Sequence, residues 1–387
     1  MLREIEIFNV NSIVEAKFEF KKGKYDYSSN MVFENDVVSP IAIYGFNGTG
    51  KSSLINAMFQ LNELLIGDIN HISPLLFNFV HMNRMFKEKR EYPDSRISLT
   101  FSLPNKNDKI YNFSISTNPI HDGITREVLT VTNGNRKGII YDRDLKSITI
   151  NNQIIEIEKS LYLALRNLAN NSDIKMSEAE YEELLSVYQF LSNIAVVNFQ
   201  NKISSRITNQ KKELDLLLEN SEGVFSLISE YNHFPKYHIV KIENTPPEFN
   251  NKSIYNILIN SSTSDGQDNE IELPIELMSS GMRMQSRYLS LILSMPKNSI
   301  LFIDEVERNL HPFVIESFIH VCNKKKIQLI FTSHNTNILQ YLRPDQIFFA
   351  KWNNGESKYN KLSSSFPNIR QVNNIEKMYL SGYFEEE

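Results

Sequence analysis

The chain has a single cysteine, Cys322, in 387 residues. An internal disulfide and a CxxC zinc hook are therefore excluded, and a reducing cytoplasm is the natural compartment. It has no run of about 18 apolar residues, the length a membrane-spanning helix needs. Its opening, MLREIEIF, alternates like a strand rather than reading as a leader, so no membrane attachment of its own is expected. Nor is there an excess of positive charge. The 41 Lys and Arg against 46 Asp and Glu leave a net charge of -5, which argues against a uniformly basic nucleic-acid binder and restricts any DNA contact to a local patch. No internal repeat is evident. What is present, 41% hydrophobic and 22% charged residues, describes a globular protein long enough for two or three structural units.

Residues 2–20 alternate apolar and polar around a break at 9–12, the pattern of two strands joined by a turn. SPIAIYG, at 39–45, is a short apolar run ending in glycine and suits a buried strand. From Ser53 onward, Leu54, Ile55, Met58, Phe59, Leu61 and Leu65 follow helical spacing. Between about 95 and 157, short alternating runs separated by Asn, Asp, Gly and Pro predict an antiparallel meander. Residues 158–230 read as mostly helical, with Ser177 and Glu180 at capping-box spacing and IAVVNF (194–199) as a buried strand between helices. Strands and loops return over 236–277. After Gly281, helices alternate with the apolar runs SILFIDE, IQLIFTSH and QIFFAKW, which predicts a parallel or mixed α/β sheet. The expected organisation is 1–157 as the first part of a head with an antiparallel β subdomain, 158–235 as a helical insert and 236–387 as the second part of the head.

The segment GFNGTGKSS matches G-x-x-x-x-G-K-[ST] and lies between an expected strand and an expected helix, the context the motif requires. Gly45, Gly48 and Gly50 let backbone N–H groups turn toward a phosphate chain, and the helix start adds favourable partial charge. Lys51 is placed to reach the β and γ phosphates and Ser52 to ligate Mg2+. With Phe46, Asn47, Thr49 and Ser53 they make up the expected nucleotide-binding loop. The bland alternative is a glycine turn that happens to carry a lysine.

Two further strand tips carry chemistry. SILFIDE ends in Asp304 and Glu305, and an acid at the tip of a buried strand is costly unless it meets a cation or donors. Asp304 is expected to hold Mg2+ and Glu305 to orient or deprotonate an attacking water, although an acidic helix cap would look the same. Glu307 reads as solvated or paired with Arg308 and is left outside the site. IQLIFTSH ends in His334, which could donate to the γ-phosphate or the water. Lys51, Glu305 and His334 form the expected catalytic set. Tips bearing GKS, DE and TSH would converge on one edge of an α/β sheet, where ligands bind.

With GFNGTGKSS, MSSGMRMQ, LFIDEVERNLHP and FTSHN in this order, the chain resembles the ABC-type ATPase heads of the SMC, Rad-fifty and RecF group. The resemblance implies an ABC-type P-loop NTPase head that uses ATP and Mg2+. It also implies that Ser279, Ser280 and Gly281 bind the γ-phosphate held by a second subunit, so that ATP is sandwiched in a head-to-tail dimer. Met278 and Met282 depart from the usual pattern. The family's glutamine loop is not placed by sequence, with Gln60 and Gln200 as the options, and Asn11 and Ser12 match an early turn that approaches the nucleotide. The insert has no sustained heptads and cannot form a long SMC arm.

The ending, LRPDQIFFAKW and then IEKMYLSGYF, looks most like the compact ATPases of bacterial abortive-infection and anti-phage systems, which implies a separate effector such as a nuclease or toxin. A RecF-like factor clamping DNA is the alternative, and a transporter subunit fits least. The basic groups open to DNA are Arg84, Lys87, Lys89 and Arg90, then Lys202, Arg206, Lys211 and Lys212, then Lys324 to Lys326, each more readily read as a solvated face because acids are interleaved and the net charge is negative. Too little chain follows His334 for a nuclease domain of about 100 residues. MYLSGYF reads either as an exposed docking segment or as packing on the head.

Overall fold

The computed structural model of the protein describes residues 1–27, 31–67, 94–104, 106, 108–118, 123–157, 163–170, 176–232, 237–242, 254–262, 268–274, 277–308, 310–370 and 373–384. The chain begins with the expected hairpin, β1 (Leu2–Val10) and β2 (Ile13–Glu19), then β3 (Ile41–Tyr44) and α1 (Lys51–Ile66). The meander follows as β4 (Ser95–Phe101), β5 (Lys109–Asn118), β6 (Gly123–Asn133), β7 (Arg136–Arg143), β8 (Ser147–Ile150) and β9 (Gln153–Glu156). Next come α2 (Ala164–Asn170), α3 (Glu178–Ser192), β10 (Ile194–Val197), β11 (Ile203–Ser204), α4 (Arg206–Gln210), α5 (Glu213–Glu219) and α6 (Ser221–Asn232). Three strands, β12 (Tyr237–Ile242), β13 (Ile254–Ser262) and β14 (Asp268–Pro274), lead to α7 (Ser280–Ser294) and β15 (Ile300–Ile303). The remainder is α8 (Pro312–Lys325), β16 (Gln328–Thr332), β17 (Ile347–Asn353), β18 (Glu356–Lys361), α9 (Leu362–Ser365) and α10 (Ile375–Leu380).

A seven-stranded sheet in the order β11-β10-β15-β16-β3-β17-β18 forms the centre, its five inner strands parallel and its two edges antiparallel. Both of its faces are covered, which is why its strands read as continuous apolar runs. Ile41, Ile43, Val196, Ile300, Phe302 and Ile330 face a core shared with α1 and the antiparallel sheet. Ala42, Tyr44, Val197, Leu301, Ile303 and Phe331 face the opposite core, shared with α7 and α8. The period of two along each strand thus sorts neighbours into different cores. The segment expected to be helical over 158–235 therefore contributes β10 to this sheet.

The second sheet has eight antiparallel strands, β2-β1-β4-β5-β6-β7-β8-β9. It joins the N-terminal hairpin to the meander, pairing Ile5 with Leu99 and Ile7 with Ile97 across a long intervening segment. Gln328, fully buried on β16, ties the two sheets: its amide accepts from Leu2 N at 3.0 Å and donates to Leu2 O at 2.8 Å. Helix α3 starts with the expected box, Ser177 N donating to Glu180 Oε2 at 2.9 Å and Glu180 N to Ser177 Oγ at 3.4 Å. The antiparallel set β12-β13-β14 accounts for the strands expected over 236–277.

Candidate functional site

Because β10, β15, β16 and β3 run parallel, the segments leaving their C-terminal ends emerge at one sheet edge. The order of connections changes there, since β3 lies between β16 and β17, and such an edge opens a crevice for ligands. The glycine loop leaves β3, Asp304 and Glu305 leave β15, His334 follows β16 and Gln200 follows β10.

The loop's shape depends on glycine. Gly50 caps α1 with φ 95°, a left-handed conformation, and a Cβ there would lie 1.9 Å from Ser357 Oγ and 2.6 Å from Ser12 Oγ. Those two hydroxyls are bonded to each other at 2.6 Å, and Ser12 also meets Ser53 Oγ at 2.7 Å. Tyr359 Oη donates to Gly50 O. The early turn at Asn11 and Ser12 does approach the loop, and Asn11 Nδ2 reaches Ser53 O at 3.4 Å. Ser357 and Tyr359 on β18 were not singled out from sequence, because nothing local marks an edge strand near the chain's end as a neighbour of residue 50.

Lys51 is buried, its Nζ donating to Gly45 O at 2.7 Å and Phe46 O at 2.8 Å. Burial lowers its pKa, and Asp304, Glu305 and Glu307 oppose that shift. Thr49 Oγ1 closes the turn on Phe46 O at 2.8 Å, while Phe46, Asn47 and Gly48 form an exposed crest.

Asp304 is 1% exposed, and its Oδ1 accepts Ser52 Oγ at 3.1 Å and Thr332 Oγ1 at 2.6 Å. Its Oδ2 is buried with no hydrogen-bond partner. A carboxylate half-satisfied by hydroxyls and half-orphaned fits a cation held by Ser52 and Asp304, because a hard divalent ion takes oxygen ligands. Among the described residues no cluster of three or more His, Cys, Asp or Glu could hold a metal. Mg2+ beside a phosphate chain needs none, as it keeps waters and takes one or two protein oxygens. Once bound, Mg2+ would neutralise charge on the phosphates.

Burial raises the Asp304 carboxyl above the usual range, only partly offset by Thr332 and Ser52. A raised folded-state pKa means that the fold keeps a proton which the unfolded chain, at a carboxylate pKa of about 3.9, releases. The group therefore favours the nucleotide-free fold below about pH 3.9, and that contribution is lost as pH rises through the folded value. At pH 7 the charged carboxylate is a cost that Asp304→Asn removes. The variant is expected to melt about 1–3 °C higher without nucleotide and to gain nothing from ATP with Mg2+, whereas the parent is stabilised. Calorimetry of both proteins checks this, and a lower melting point for the variant would contradict it.

Glu305 has φ 49°, an uncommon conformation for a non-glycine residue, held by its N–H donating to Thr332 Oγ1 at 2.8 Å. Glu305 is half-exposed at this strained turn. Glu307, left outside the site by sequence, belongs beside it: its Oε1 accepts His334 N at 2.6 Å, and its Oε2 is buried without a partner. It fixes the backbone of the exposed His334. The Arg308 guanidinium donates to Phe199 O rather than pairing with Glu307, and Asp304 N donates to Val197 O at 2.9 Å. These bonds place the segment 198–200 against the carboxylate turn, whereas Gln60 lies on α1.

Ser279 caps α7, its Oγ accepting Met282 N at 3.2 Å, and Ser279 and Ser280 are exposed. Both methionines have packing roles. Met278 is buried in the core of α7 and α8, and Met282 packs partly against it. The cap therefore presents its serines outward from an apolar footing, while Leu277 beside it is 66% exposed.

Several basic groups are engaged within the fold. Lys211 pairs with Glu219, Lys325 Nζ donates to Ile292 O and Met295 O at the end of α7, and Lys326 lies over the Phe33 ring. Arg84, Lys87, Lys89 and Arg90 lie outside the described residues, as does 385–387. MYLSGYF packs on the head through Tyr379 and the buried Phe384, leaving Leu380 and Tyr383 exposed. Among the described residues no helix is long and apolar enough to cross a membrane.

The chain is similar to the SMC head bound to the C-winged helix domain of ScpA, at 14% identity, covering 94% of this chain and 99% of that one with a TM-score of 0.49. It is similar to the SMC head domain from Thermotoga maritima at 14% identity, with coverages of 93% and 98% and a TM-score of 0.42. The recombination mediator RecF with ATP matches at 12% identity, with coverages of 93% and 99% and a TM-score of 0.34. No curated protein matches. A family model described as "AAA domain, putative AbiEii toxin, Type IV TA system" spans residues 41–340, from β3 to beyond the His334 tip, and the chain belongs to that family.

Proposed function

We propose that this chain binds ATP with Mg2+, hydrolyses it to ADP and phosphate as an ATP-sandwiched head-to-tail dimer, and thereby regulates a separate effector, a nuclease or toxin, in bacterial anti-phage or abortive-infection defence. The observation that carries the nucleotide reading is the buried Asp304 carboxylate, which meets Ser52 Oγ with one oxygen and leaves the other unpartnered. Gly45 to Ser53 wrap the phosphates, Lys51 neutralises the β and γ phosphates, and Ser52 with Asp304 holds Mg2+. Glu305 takes a proton from the attacking water while His334 donates to the γ-phosphate. Ser279 and Ser280, exposed at the start of α7, and the half-buried Gly281 supply the partner's γ-phosphate contact.

The segments 1–157 and 236–387 then act as one head, with 158–235 as an insert that lends β10 to its sheet. The family description supports the defence setting, and a cytoplasmic location follows from that setting. A DNA clamp is less favoured, because Lys211, Lys325 and Lys326 are engaged within the fold.

Mixing two inactive variants tests the sandwich. Ser279→Arg spoils only the surface offered to a partner, and Glu305→Gln spoils only a subunit's own site. Each alone is expected to release little phosphate, and activity is expected to return when they are mixed, because one composite site is then intact. If Ser279→Arg hydrolyses ATP like the parent, or mixing restores nothing, the sandwich is wrong.

A further inference from the structure

Tyr379 lies on α10, far along the chain from the phosphate loop, yet its ring meets that loop directly. One face stacks on Phe349 of β17 at 5.3 Å between centroids and 14° between planes. Its ring also meets Phe46, the second residue of the loop, at 6.4 Å and 27°, and Tyr44 at the end of β3 at 6.2 Å and 64°. Phe349 and Tyr44 are register partners on adjacent parallel strands, so Tyr379 sits over the strand pair from which the loop departs. Phe384, 4.9 Å from Phe349, and Phe366, 5.1 Å from Phe384, extend the ring cluster.

Three bonds carry this contact into the site. The carbonyl of Phe46 holds Lys51 Nζ at 2.8 Å, so where Phe46 stands decides where that ammonium rests. At the other end of α10, Glu376 Oε1 accepts Thr336 Oγ1 at 3.2 Å, and Tyr44 Oη donates to Asn335 O at 2.9 Å, both just after His334. The helix therefore braces the phosphate loop and the histidine tip together. The loop needs such a brace, because Gly45, Gly48 and Gly50 leave its crest with high conformational freedom, and Phe46 is 60% exposed.

We infer that Tyr379 is a positioning residue for the nucleotide site: its ring, packed on Phe349, holds Phe46 and through it the Lys51 ammonium in the arrangement that receives phosphate. The inference rests on the nucleotide-binding reading above. Its physical content is pre-organisation, since ordering the crest before binding lowers the entropy lost on binding. The stacking on Phe349 and Phe46 belongs to the ring, so phenylalanine, which keeps it, should retain more affinity than alanine.

The test is equilibrium binding of a fluorescent ATP analogue with Mg2+, together with steady-state phosphate release and thermal melting. Tyr379→Ala is expected to bind about fivefold more weakly, the order of one lost aromatic pair, with KM raised alike and kcat near that of the parent. Tyr379→Phe is expected to bind more tightly than Tyr379→Ala. Phe384→Ala, which loosens the same ring cluster without touching Phe46, serves as the control for general destabilisation and is expected to lower the melting point while largely sparing affinity. The inference is overturned if Tyr379→Ala binds like the parent, if Tyr379→Phe is as weak as alanine, or if Phe384→Ala weakens binding equally. Failure of the parent itself to bind the analogue would overturn the nucleotide-binding reading, and this inference with it.

Discussion

Glu305→Gln is expected to slow phosphate release by about 10²- to 10⁴-fold, the usual contribution of a general base, while leaving ATP binding intact. The amide keeps the size and the hydrogen-bonding reach of the carboxylate but cannot take a proton from water. The Glu305 backbone should stay in its left-handed conformation, since that rests on the bond from its N–H to Thr332 Oγ1, which the substitution does not touch. Two readouts follow. Single-turnover hydrolysis should be slow, and light scattering should show the mass doubling in ATP and Mg2+ and persisting, because the sandwiched nucleotide is no longer consumed. If the variant stays at monomer mass with saturating ATP, the dimer is refuted; if it hydrolyses at the parent's rate, Glu305 is not the base. Removing one negative charge beside Lys51 should also tighten nucleotide modestly, as the triphosphate then meets less repulsion.

The largest expected loss of stability lies outside the nucleotide site. Glu127 on β6 is fully buried and accepts Tyr141 Oη at 2.6 Å, Ala164 N at 2.6 Å, Leu165 N at 2.9 Å and Arg143 Nη1 at 3.4 Å. Burial raises its carboxyl, and Arg143, Tyr141 and the two N–H groups oppose the rise. The side chain thus satisfies the start of α2 from within the antiparallel sheet. Glu127→Ala is expected to cost about 3–5 kcal/mol, because it removes the carboxylate facing a buried arginine and strands two buried N–H donors. Glu127→Gln, which keeps an acceptor, should lose less. Urea unfolding measures both, and an alanine variant with an unchanged midpoint would mean that water or neighbouring groups replace the carboxylate at no cost.

Much of the site was legible because its chemistry is local. GFNGTGKSS carries its own strand, turn and helix signals, and Asp304, Glu305 and His334 each follow an apolar run that both cores demand. Ser177 and Glu180 announced their helix start for the same reason: a capping box is satisfied within four residues. The missed residues act across distance. Glu307 looked like a surface acid until the folded β16 brought His334 N to it. Gln328 has no local sign that its amide spans to Leu2, and β18 gave no hint that Ser357 would pack on Gly50.

By itself, the sequence determined the phosphate loop, the order of the strand tips, the antiparallel meander and the cap at Ser177, since each follows from patterns within a few turns of chain. Only the tertiary structure decided that the N-terminal hairpin and the meander share one sheet, that the strand within 158–235 belongs to the central one, and that α10 stands on the phosphate loop. Those are pairings between distant segments, and burial and hydrogen bonding choose such partners only once the whole chain competes for the same two cores.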